Sequence, residues 1–201
     1  MTEKDANKKP FIVVVEGIDG SGKTTLVQQL SKHYNAPSIK FPQEKGFGTE
    51  FRELAAKNIT REDKKLKPAL LAILDMQEIK NIKGNMIIVD RYYHSTYVYQ
   101  SIVEHIQKSK LRTIIRNGNL PKPDVLIILD LPVHVATRRL YKRKSSQEMK
   151  YDKLDKYTMK LIRNEYEKLP DAYIIKATNS EEAVFRTCIS IIDKEYKKRN
   201  K

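Results

Sequence analysis

A glycine-rich stretch from Gly17 to Thr24 limits the possible folds of this chain more than any other part of its sequence. It reads Gly-Ile-Asp-Gly-Ser-Gly-Lys-Thr and fits the P-loop spacing of a glycine, four residues and then Gly-Lys-Ser/Thr. Glycines let backbone N–H groups turn around a phosphate, and a helix that follows presents its positive end. Lys23 is expected to reach the outer phosphates, and the Thr24 hydroxyl is placed to bind Mg²⁺. The stretch therefore predicts a site for ATP with Mg²⁺.

Short apolar runs alternate with longer helical stretches along the chain. Phe11-Ile-Val-Val-Val15 is β-branched and lacks polar alternation, as expected of a strand that is buried on both faces. Further strands are predicted at 38–41, 86–89, 125–129 and 173–176. The alternation favours a parallel sheet with helices on both faces, an α/β fold of three layers. In such sheets, ligands bind beyond the carboxyl ends of the strands.

Three helical stretches are predicted at 24–34, 153–169 and 180–198, the last with Ser180 as its N-cap. Their apolar residues recur at helical spacing and are expected to pack on the sheet. The expected packing faces are Leu26, Val27 and Leu30 in the first helix, Leu154, Tyr157, Leu161, Ile162 and Tyr166 in the second, and Ala183, Val184, Cys188, Ile191 and Ile192 in the third.

Length and composition indicate one globular domain over residues 1–201. The polar segment 1–9 is expected to be flexible, and the charged segment 142–152 is expected to form an exposed loop. No run of about 18 apolar residues occurs, so a membrane span is not expected. A single cysteine, Cys188, excludes an internal disulfide and fits a soluble protein of a reducing, cytoplasmic compartment.

The formal net charge is +14, from 39 basic and 25 acidic side chains. One interpretation is a polyanionic partner, either nucleic acid or phosphorylated small molecules. The other is a solvated lysine coat, which is favoured because lysines are scattered along the whole chain without a nucleic-acid-binding signature. Nucleic acid binding is therefore not expected, although part of the charge should contact phosphate ligands.

A second acidic position follows a buried strand, where the run 86–89 ends in Asp90 and Arg91. A carboxylate at a strand tip beside a P-loop is what a Mg²⁺-nucleotide site requires. Aspartate is also a common turn residue at strand ends, so the bare pattern is ambiguous. Arg91 favours the functional interpretation, because a guanidinium at the same edge can bind a phosphate.

Taken together, these stretches resemble the thymidylate kinase family of nucleoside-monophosphate kinases. The similar segments follow the family's order over nearly the whole chain: Phe11-Ile-Val-Val-Val-Glu-Gly-Ile-Asp-Gly-Ser-Gly-Lys-Thr-Thr25, Phe41-Pro-Gln43, Asp90-Arg-Tyr92 with Ser95 and Tyr99-Gln100, Leu120-Pro-Lys-Pro-Asp124, Leu129-Asp130 and Arg138-Arg139. The resemblance implies the P-loop NTPase fold with a five-stranded parallel sheet, a short lid at about 142–152, and a homodimer. It also implies transfer of the γ-phosphoryl group of ATP to dTMP with Mg²⁺ as cofactor.

The resemblance assigns the donor and metal sites. Arg139 would stack near the adenine of ATP, and Thr24 and Asp90 would bind Mg²⁺. Arg143 would be the lid arginine that reaches the transferring phosphoryl group, and a solvated charge cluster at 142–144 is the alternative. Some family members instead carry an arginine in the P-loop, where this chain has Gly20. The implied ATP-binding residues are Gly17, Asp19, Gly20, Ser21, Gly22, Lys23, Thr24, Thr25 and Arg139, and the implied catalytic residues are Lys23, Asp90, Arg91 and Arg143.

The resemblance also assigns the acceptor site. Arg91 would bind the acceptor phosphate, Asp19 the sugar 3′-hydroxyl, and Tyr99 would exclude a ribose 2′-hydroxyl by steric clash. Ser95 or Thr96 would face the base. The implied acceptor-binding residues are Asp19, Phe41, Lys45, Ala72, Met76, Arg91, Ser95, Thr96, Tyr99 and Gln100.

The chain departs from the family pattern mainly at the acceptor site. Glu44 stands where a phosphate-binding arginine is usual, so Lys45 is a candidate replacement that lacks the bidentate fork. Ala72 and Met76 stand where a phenylalanine usually stacks on thymine and an arginine reads its carbonyl. On the lid side, Lys150 replaces an arginine.

These departures leave the identity of the acceptor open. Gln77 or Gln100 is the candidate amide that reads the base edge. A kinase for another or for several deoxynucleoside monophosphates is one alternative. A deoxynucleoside kinase is less favoured, because that group typically shows Glu-Arg-Ser where this chain has Asp90-Arg-Tyr92. A catalytically weak nucleotide- or nucleic-acid-binding P-loop protein is the alternative from a different class.

Overall fold

The computed structural model describes residues 9–55, 66–142 and 154–201. Within these ranges five parallel strands form one sheet in the order β2-β3-β1-β4-β5. The strands are β1 Phe11–Glu16, β2 Ser38–Lys40, β3 Met86–Asp90, β4 Val125–Asp130 and β5 Ala172–Lys176. The predicted α/β fold with a five-stranded parallel sheet is confirmed, and each predicted strand lies within a residue of its expected bounds.

Helices connect the strands and cover the sheet. In the described residues they are α1 Lys23–Tyr34, α2 Gly46–Ala55, α3 Lys67–Asp75 followed by a 3₁₀ helix Met76–Asn81, α4 Tyr93–Ile102, α5 Lys108–Asn117, α6 Val133–Lys142, α7 Lys156–Tyr166 and α8 Glu181–Arg199. The predicted N-cap is confirmed, since the Ala183 N–H donates to Ser180 Oγ at 3.2 Å. No helix among the described residues is both long and apolar enough to span a membrane.

The core lies on both faces of the three central strands. Val13, Val14 and Val15 of β1 are fully buried, and β3 is buried along its whole length. Such two-sided burial explains why these strands read as unalternating apolar runs. The edge strands β2 and β5 are partly exposed, which explains their weaker sequence signal.

The predicted packing face of α7 was wrong in two positions. The side chains of Tyr157 and Leu161 are 71% and 38% exposed, whereas Met159, Ile162 and Tyr166 are buried. A helix that lies on the surface buries one narrow stripe at a period of about 3.6 residues. Positions 159, 162 and 166 share that stripe, and positions 157 and 161 lie beside it. The buried faces of α1 and α8 contain the predicted Leu26, Val27, Leu30, Val184, Cys188 and Ile192.

The carboxyl ends of the strands bring charged residues to one edge of the sheet. Glu16 ends β1, Asp90 ends β3 and Asp130 ends β4. The segment after β2 joins this edge, because the Phe41 N–H donates to the Asp90 carbonyl at 3.0 Å. Parallel sheets bind ligands at this edge, so the functional site is sought there.

Candidate active site

The loop between β1 and α1 packs tightly against the end of β4 and against α6. Gly17 has a φ of +141°, and a Cβ at this position would lie 2.6 Å from the Leu129 carbonyl oxygen. Gly20 has a φ of +82°, and its Cβ would lie 2.8 Å from the Ala136 carbonyl oxygen. Both positions therefore require glycine, for the backbone angle and for the close approach. The loop is held as a cradle of backbone N–H groups at the N-terminus of α1.

Lys23 lies inside this cradle with only 6% of its surface exposed. Its ammonium donates to the Ile18 carbonyl at 2.9 Å and lies 3.9 Å from Asp19 Oδ1. Burial and the nearby Arg91 guanidinium lower the pKa of Lys23 to about 8, although Asp19 opposes the shift. A buried, incompletely neutralised ammonium is placed to bind an entering phosphate.

Thr24 and Asp90 meet at the mouth of the P-loop. The Thr24 hydroxyl donates to Asp90 Oδ2 at 2.6 Å. The other carboxylate oxygen, Oδ1, is buried and has no hydrogen-bond partner among the described residues. Buried carboxylate oxygens are rarely left unpartnered, and oxygen ligands suit Mg²⁺. The pair thus has the donor set that a Mg²⁺ site requires.

Arg91, Asp19 and Tyr99 form one compact group beside Lys23. The Arg91 guanidinium forms an ion pair with Asp19 Oδ1 and lies 5.4 Å from the centre of the Tyr99 ring. Tyr99 donates its hydroxyl proton to Asp19 Oδ2 at 3.0 Å. Burial would raise the pKa of Asp19, but the charges of Arg91 and Lys23 outweigh it and hold the pKa below its usual value. Asp19 is therefore an ionised carboxylate shared by a cation and a phenol.

Sequence reasoning missed Glu16, although it lies at the centre of the site. Its side chain is fully buried, and Oε1 accepts from the backbone N–H groups of Tyr92 at 2.8 Å and Ser95 at 3.0 Å. Oε2 accepts from the Ser95 hydroxyl at 2.6 Å and the Tyr166 hydroxyl at 3.0 Å. Burial raises the pKa of Glu16, and the Ser95 hydrogen bond and the Arg91 charge oppose this rise. The available signal was a carboxylate that ends an otherwise apolar buried strand.

The structure distinguishes the two residues that were expected to face the base. The Ser95 hydroxyl donates to Glu16 Oε2 at 2.6 Å and accepts from Arg91 Nη1 at 3.3 Å, so it is already engaged by these two side chains. Thr96 is buried on the next position of α4 and has no such engagement with Glu16. Of the pair, Thr96 is therefore the candidate for a base contact.

The segment after β2 is held from two sides. Phe41 is buried with its ring centre 6.2 Å from that of Tyr92. The Gln43 N–H donates to Asp75 Oδ2 at 2.8 Å, and the Gln43 side-chain amide donates to Asp75 Oδ1 at 3.2 Å. From α2, Arg52 donates to the carbonyls of Pro42 and Gln43. Arg52 was not singled out from the sequence, because its contact with this segment depends on the tertiary fold.

The residues of α3 and the adjoining 3₁₀ helix that differ from the usual family pattern are buried. Ala72 and Met76 are 4% and 3% exposed and belong to the main core. Lys45, directly before α2, is exposed. The Gln77 amide donates to the Gly118 carbonyl at 2.9 Å and to the Ile73 carbonyl at 3.3 Å. These bonds tie the 3₁₀ helix to the end of α5, which disfavours Gln77 as the reader of a base. Gln100 is buried in α4.

A pocket beside the P-loop has the position expected for the nucleoside of ATP. Ser21, Gly22, Thr25 and Arg139 line it together with Ala177 and Asn179 from the loop after β5. Arg139 Nη1 lies 3.4 Å from the Gly20 carbonyl oxygen, and Nη2 lies 3.4 Å from that of Ala177. The loop after β5 was not predicted as part of the site, since it carries no charged or glycine-rich signal. Arg143 and Lys150 lie outside the described residues.

P-loop phosphotransferases that act on nucleotides combine a P-loop with phosphate-binding groups from the neighbouring strand ends. This chain has that arrangement and belongs to this class. A family model described as Thymidylate kinase matches residues 15–188. The chain is 33% identical to a probable thymidylate kinase of Pyrococcus abyssi over 92% of this chain and 97% of the relative. It is 32% identical to a thymidylate kinase of Leptospira interrogans over 92% of this chain and 95% of the relative. The chain therefore belongs to the thymidylate kinase family and is a nucleoside-monophosphate kinase.

A solved structure has the same fold. The thymidylate kinase of Candida albicans superposes with a TM-score of 0.74, at 21% sequence identity, over 94% of this chain and 93% of that chain. At this identity the likeness bears on the fold alone, and it agrees with the five-stranded parallel sheet described above.

Proposed function

We propose that this protein transfers the γ-phosphoryl group of ATP to dTMP and releases ADP and dTDP. The observation that carries the proposal is the group formed by Arg91, Asp19 and Tyr99 directly beside the P-loop lysine. This group brings a guanidinium, a carboxylate and an aromatic ring next to the P-loop lysine, which supports an acceptor site there. Membership of the thymidylate kinase family supports dTMP as the acceptor.

On the donor side, the P-loop N–H groups and Lys23 bind the phosphates of ATP. Because Lys23 is buried and only partly neutralised by Asp19, the phosphate charge is the counter-ion that completes its environment. Arg139 of α6 and Thr25 of α1 both line the nucleoside pocket. The chemistry then consists mainly of positioning and of stabilising negative charge on the transferred group.

The metal site fits the residues present. Asp90 and the Thr24 hydroxyl would hold Mg²⁺, because Asp90 Oδ1 is buried and unpartnered and the two side chains already meet. Bound there, Mg²⁺ supplies positive charge at the phosphate oxygens of ATP. Lys23 and the backbone N–H groups fix the outer phosphates independently of that contribution.

On the acceptor side, Arg91 binds the 5′-phosphate and Asp19 accepts from the sugar 3′-hydroxyl. The Tyr99 ring occupies the space beside the sugar, because its hydroxyl is tied to Asp19. The base would lie beside Thr96 and Gln100 on α4 and beside Phe41, Ala72 and Met76, side chains that are all at most 5% exposed. This set of side chains lacks the usual arginine, so thymine recognition depends on shape and on the α4 polar groups.

A homodimer is proposed as the assembled form. Phe47 on α2 and Leu70 and Leu74 on α3 are 44%, 48% and 45% exposed, and these two helices pack against each other. Exposed apolar side chains on neighbouring helices are typical of a protein interface. We expect a second copy of the chain to cover them. Light scattering should give twice the chain mass for the wild type and the chain mass for Leu70→Glu, and a monomeric wild type would refute the assembly.

The function is tested by measuring ADP release from ATP and Mg²⁺ with each deoxynucleoside monophosphate and with UMP at one low concentration. We expect turnover with dTMP well above all other acceptors. Highest turnover with a different deoxynucleotide would keep the phosphotransfer and reassign the acceptor. No turnover with any acceptor, in a protein that still binds ATP, would refute the proposal.

A further inference from the structure

The roles above do not use Glu16, yet each of its two carboxylate oxygens accepts two hydrogen bonds. Its carboxylate lies between the end of β1 and the start of α4 and accepts from two N–H groups and two hydroxyls. Capping a helix N-terminus alone would require only the two N–H bonds. The two hydroxyl contacts, from Ser95 and Tyr166, need a separate explanation.

The Ser95 hydroxyl connects Glu16 to the acceptor-phosphate group. Ser95 Oγ lies 2.6 Å from Glu16 Oε2, and Arg91 Nη1 donates to the same Oγ at 3.3 Å. A hydroxyl has one proton to donate and two lone pairs to accept with. Because the proton of Ser95 is directed at Glu16, a lone pair is available to the guanidinium. The Arg91 guanidinium is thus held by Ser95 at Nη1 and by Asp19 at Nη2.

We propose that Glu16 is a positioning residue for phosphate transfer, because it orients the Ser95 hydroxyl as an acceptor and thereby fixes the Arg91 guanidinium toward the acceptor phosphate. This inference rests on the proposed function, in which Arg91 binds that phosphate. Glu16 does not contact the substrate and acts only through Ser95 and Arg91.

The polarity of the group at position 16 determines the orientation of Ser95. In Glu16→Gln, the amide oxygen still accepts from the Tyr92 and Ser95 N–H groups, and the amide nitrogen faces the Ser95 hydroxyl. That nitrogen donates to Ser95 Oγ, so the serine proton must turn away from position 16. The nearest acceptor for that proton is then the Tyr166 hydroxyl, 2.9 Å from Ser95 Oγ. Ser95 Oγ now accepts from the amide as well as from Arg91 Nη1 and has lost its charged partner, so its 3.3 Å bond to the guanidinium weakens. The flipped orientation of the amide is less favourable, because its NH₂ group would then face the backbone N–H groups of Tyr92 and Ser95, which are also donors.

The first experiment compares wild type, Glu16→Gln and Glu165→Gln by steady-state kinetics. Glu165 is the matched control, since it is a buried carboxylate on α7 that pairs with Lys108. For Glu16→Gln we expect the KM for the acceptor to rise about tenfold and the KM for ATP to stay within about twofold. For Glu165→Gln both constants should stay at the wild-type values.

A double-mutant cycle tests whether the effect passes through Ser95. Ser95→Ala should raise the acceptor KM by several-fold, and Glu16→Gln should add little in the Ser95→Ala background. Ser95→Ala also leaves the Glu16 carboxylate in place, so it tests the connection even if Glu16→Gln does not fold. Additive effects of the two changes would overturn the connection through Ser95.

A substrate-free readout separates this inference from the proposed function. The guanidinium N–H signals of Arg91, assigned in NMR spectra by their loss in Arg91→Lys, should be sharp in the wild type. They should broaden in Glu16→Gln and in Ser95→Ala but not in Glu165→Gln. Sharp signals in all variants, or equal rises in both KM values, would overturn the inference. If the wild type shows no turnover but its Arg91 signals are sharp and broaden in the two variants, only the proposed acceptor chemistry is refuted.

Discussion

The Tyr99 hydroxyl donates to Asp19 Oδ2 at 3.0 Å, so one carboxylate links the aromatic wall of the acceptor site to the P-loop. The same carboxylate is paired with Arg91 and lies 3.9 Å from Lys23. The position of the Tyr99 ring is therefore determined by the donor-site loop as well as by α4. In the proposed acceptor site, the sugar would fit against a ring that is held by α4 at one end and by Asp19 at the other.

Removing the Tyr99 ring should relax selection against ribonucleotides. We expect Tyr99→Ala to increase the activity with UMP relative to dUMP by about tenfold or more, because the steric exclusion of the 2′-hydroxyl is lost. Tyr99→Phe is the matched control, since it keeps the ring and removes the hydroxyl that donates to Asp19. Competition assays with both nucleotides provide the ratio of kcat/KM. An unchanged ratio in Tyr99→Ala would show that the ring does not select the sugar.

Affinity for ATP should depend on the protonation of Lys23. Its pKa of about 8 in the free protein should rise when phosphate charge is bound, so binding takes up a proton above that pH. We expect the Kd for ATP to be constant below pH 8 and to increase up to about tenfold per pH unit above it. Calorimetry in buffers of different ionisation enthalpy measures the proton uptake. Lys23→Arg should abolish this pH dependence, and its persistence there would assign it to another group.

Asp90→Asn should weaken the binding of Mg²⁺. We expect the Mg²⁺ concentration for half-maximal rate to rise about tenfold or more, because an amide oxygen carries no charge for the cation. The control is Asp124→Asn, which changes a carboxylate at the opposite edge of the sheet, where it accepts from Arg199 and from the Ile12 N–H. Rates measured over a Mg²⁺ titration at fixed ATP decide the matter, and identical curves for wild type and Asp90→Asn would contradict the assignment.

Two adjacent arginines on α6 allow a matched test of the nucleoside pocket. Both side chains are exposed, but Arg139 lines the pocket and Arg138, on the neighbouring position of the helix, does not. Arg139→Ala should raise the KM for ATP by about fivefold to tenfold through lost stacking, and Arg138→Ala should leave it unchanged. Equal effects of both changes would point to the general positive charge of the helix.

Two adjacent apolar residues on α7 test the corrected packing face. Ile162 is 1% exposed and Leu161 is 38% exposed. Ile162→Ala should lower the free energy of unfolding by about 2–5 kcal/mol, and Leu161→Ala should lower it by less than about 1 kcal/mol. Urea unfolding followed by far-UV circular dichroism provides both values. A larger loss for Leu161→Ala would restore the original prediction for this helix.

Features that depend on local spacing could be predicted from the sequence. The P-loop from Gly17 to Thr24 and the buried strands were predicted because their signals lie within a few consecutive residues. The meeting of Thr24 with Asp90 followed from the rule that parallel strand ends share an edge of the sheet. These predictions did not require any knowledge of side-chain contacts across the fold.

Features that depend on distant contacts were missed. Glu16 bonds to Ser95, 79 residues away, and to Tyr166, 150 residues away, so neither contact leaves a local pattern. Gln77 was considered a reader of the base, but its amide is bound to the Gly118 carbonyl, 41 residues away. Helical spacing likewise indicated that α7 is amphipathic without specifying which of two adjoining stripes faces the sheet.

The close packing of Gly20 on Ala136 restricts how this enzyme can change its catalytic cations. A side chain at Gly20 would have to adopt a φ of +82° and displace the Ala136 carbonyl of α6. An arginine introduced into the P-loop here would therefore disturb the helix that carries Arg139 before it could serve catalysis. Moving the phosphate-stabilising charge into the P-loop would therefore require earlier changes in α6. Without such changes, descendants of this sequence have to supply that charge from outside the P-loop.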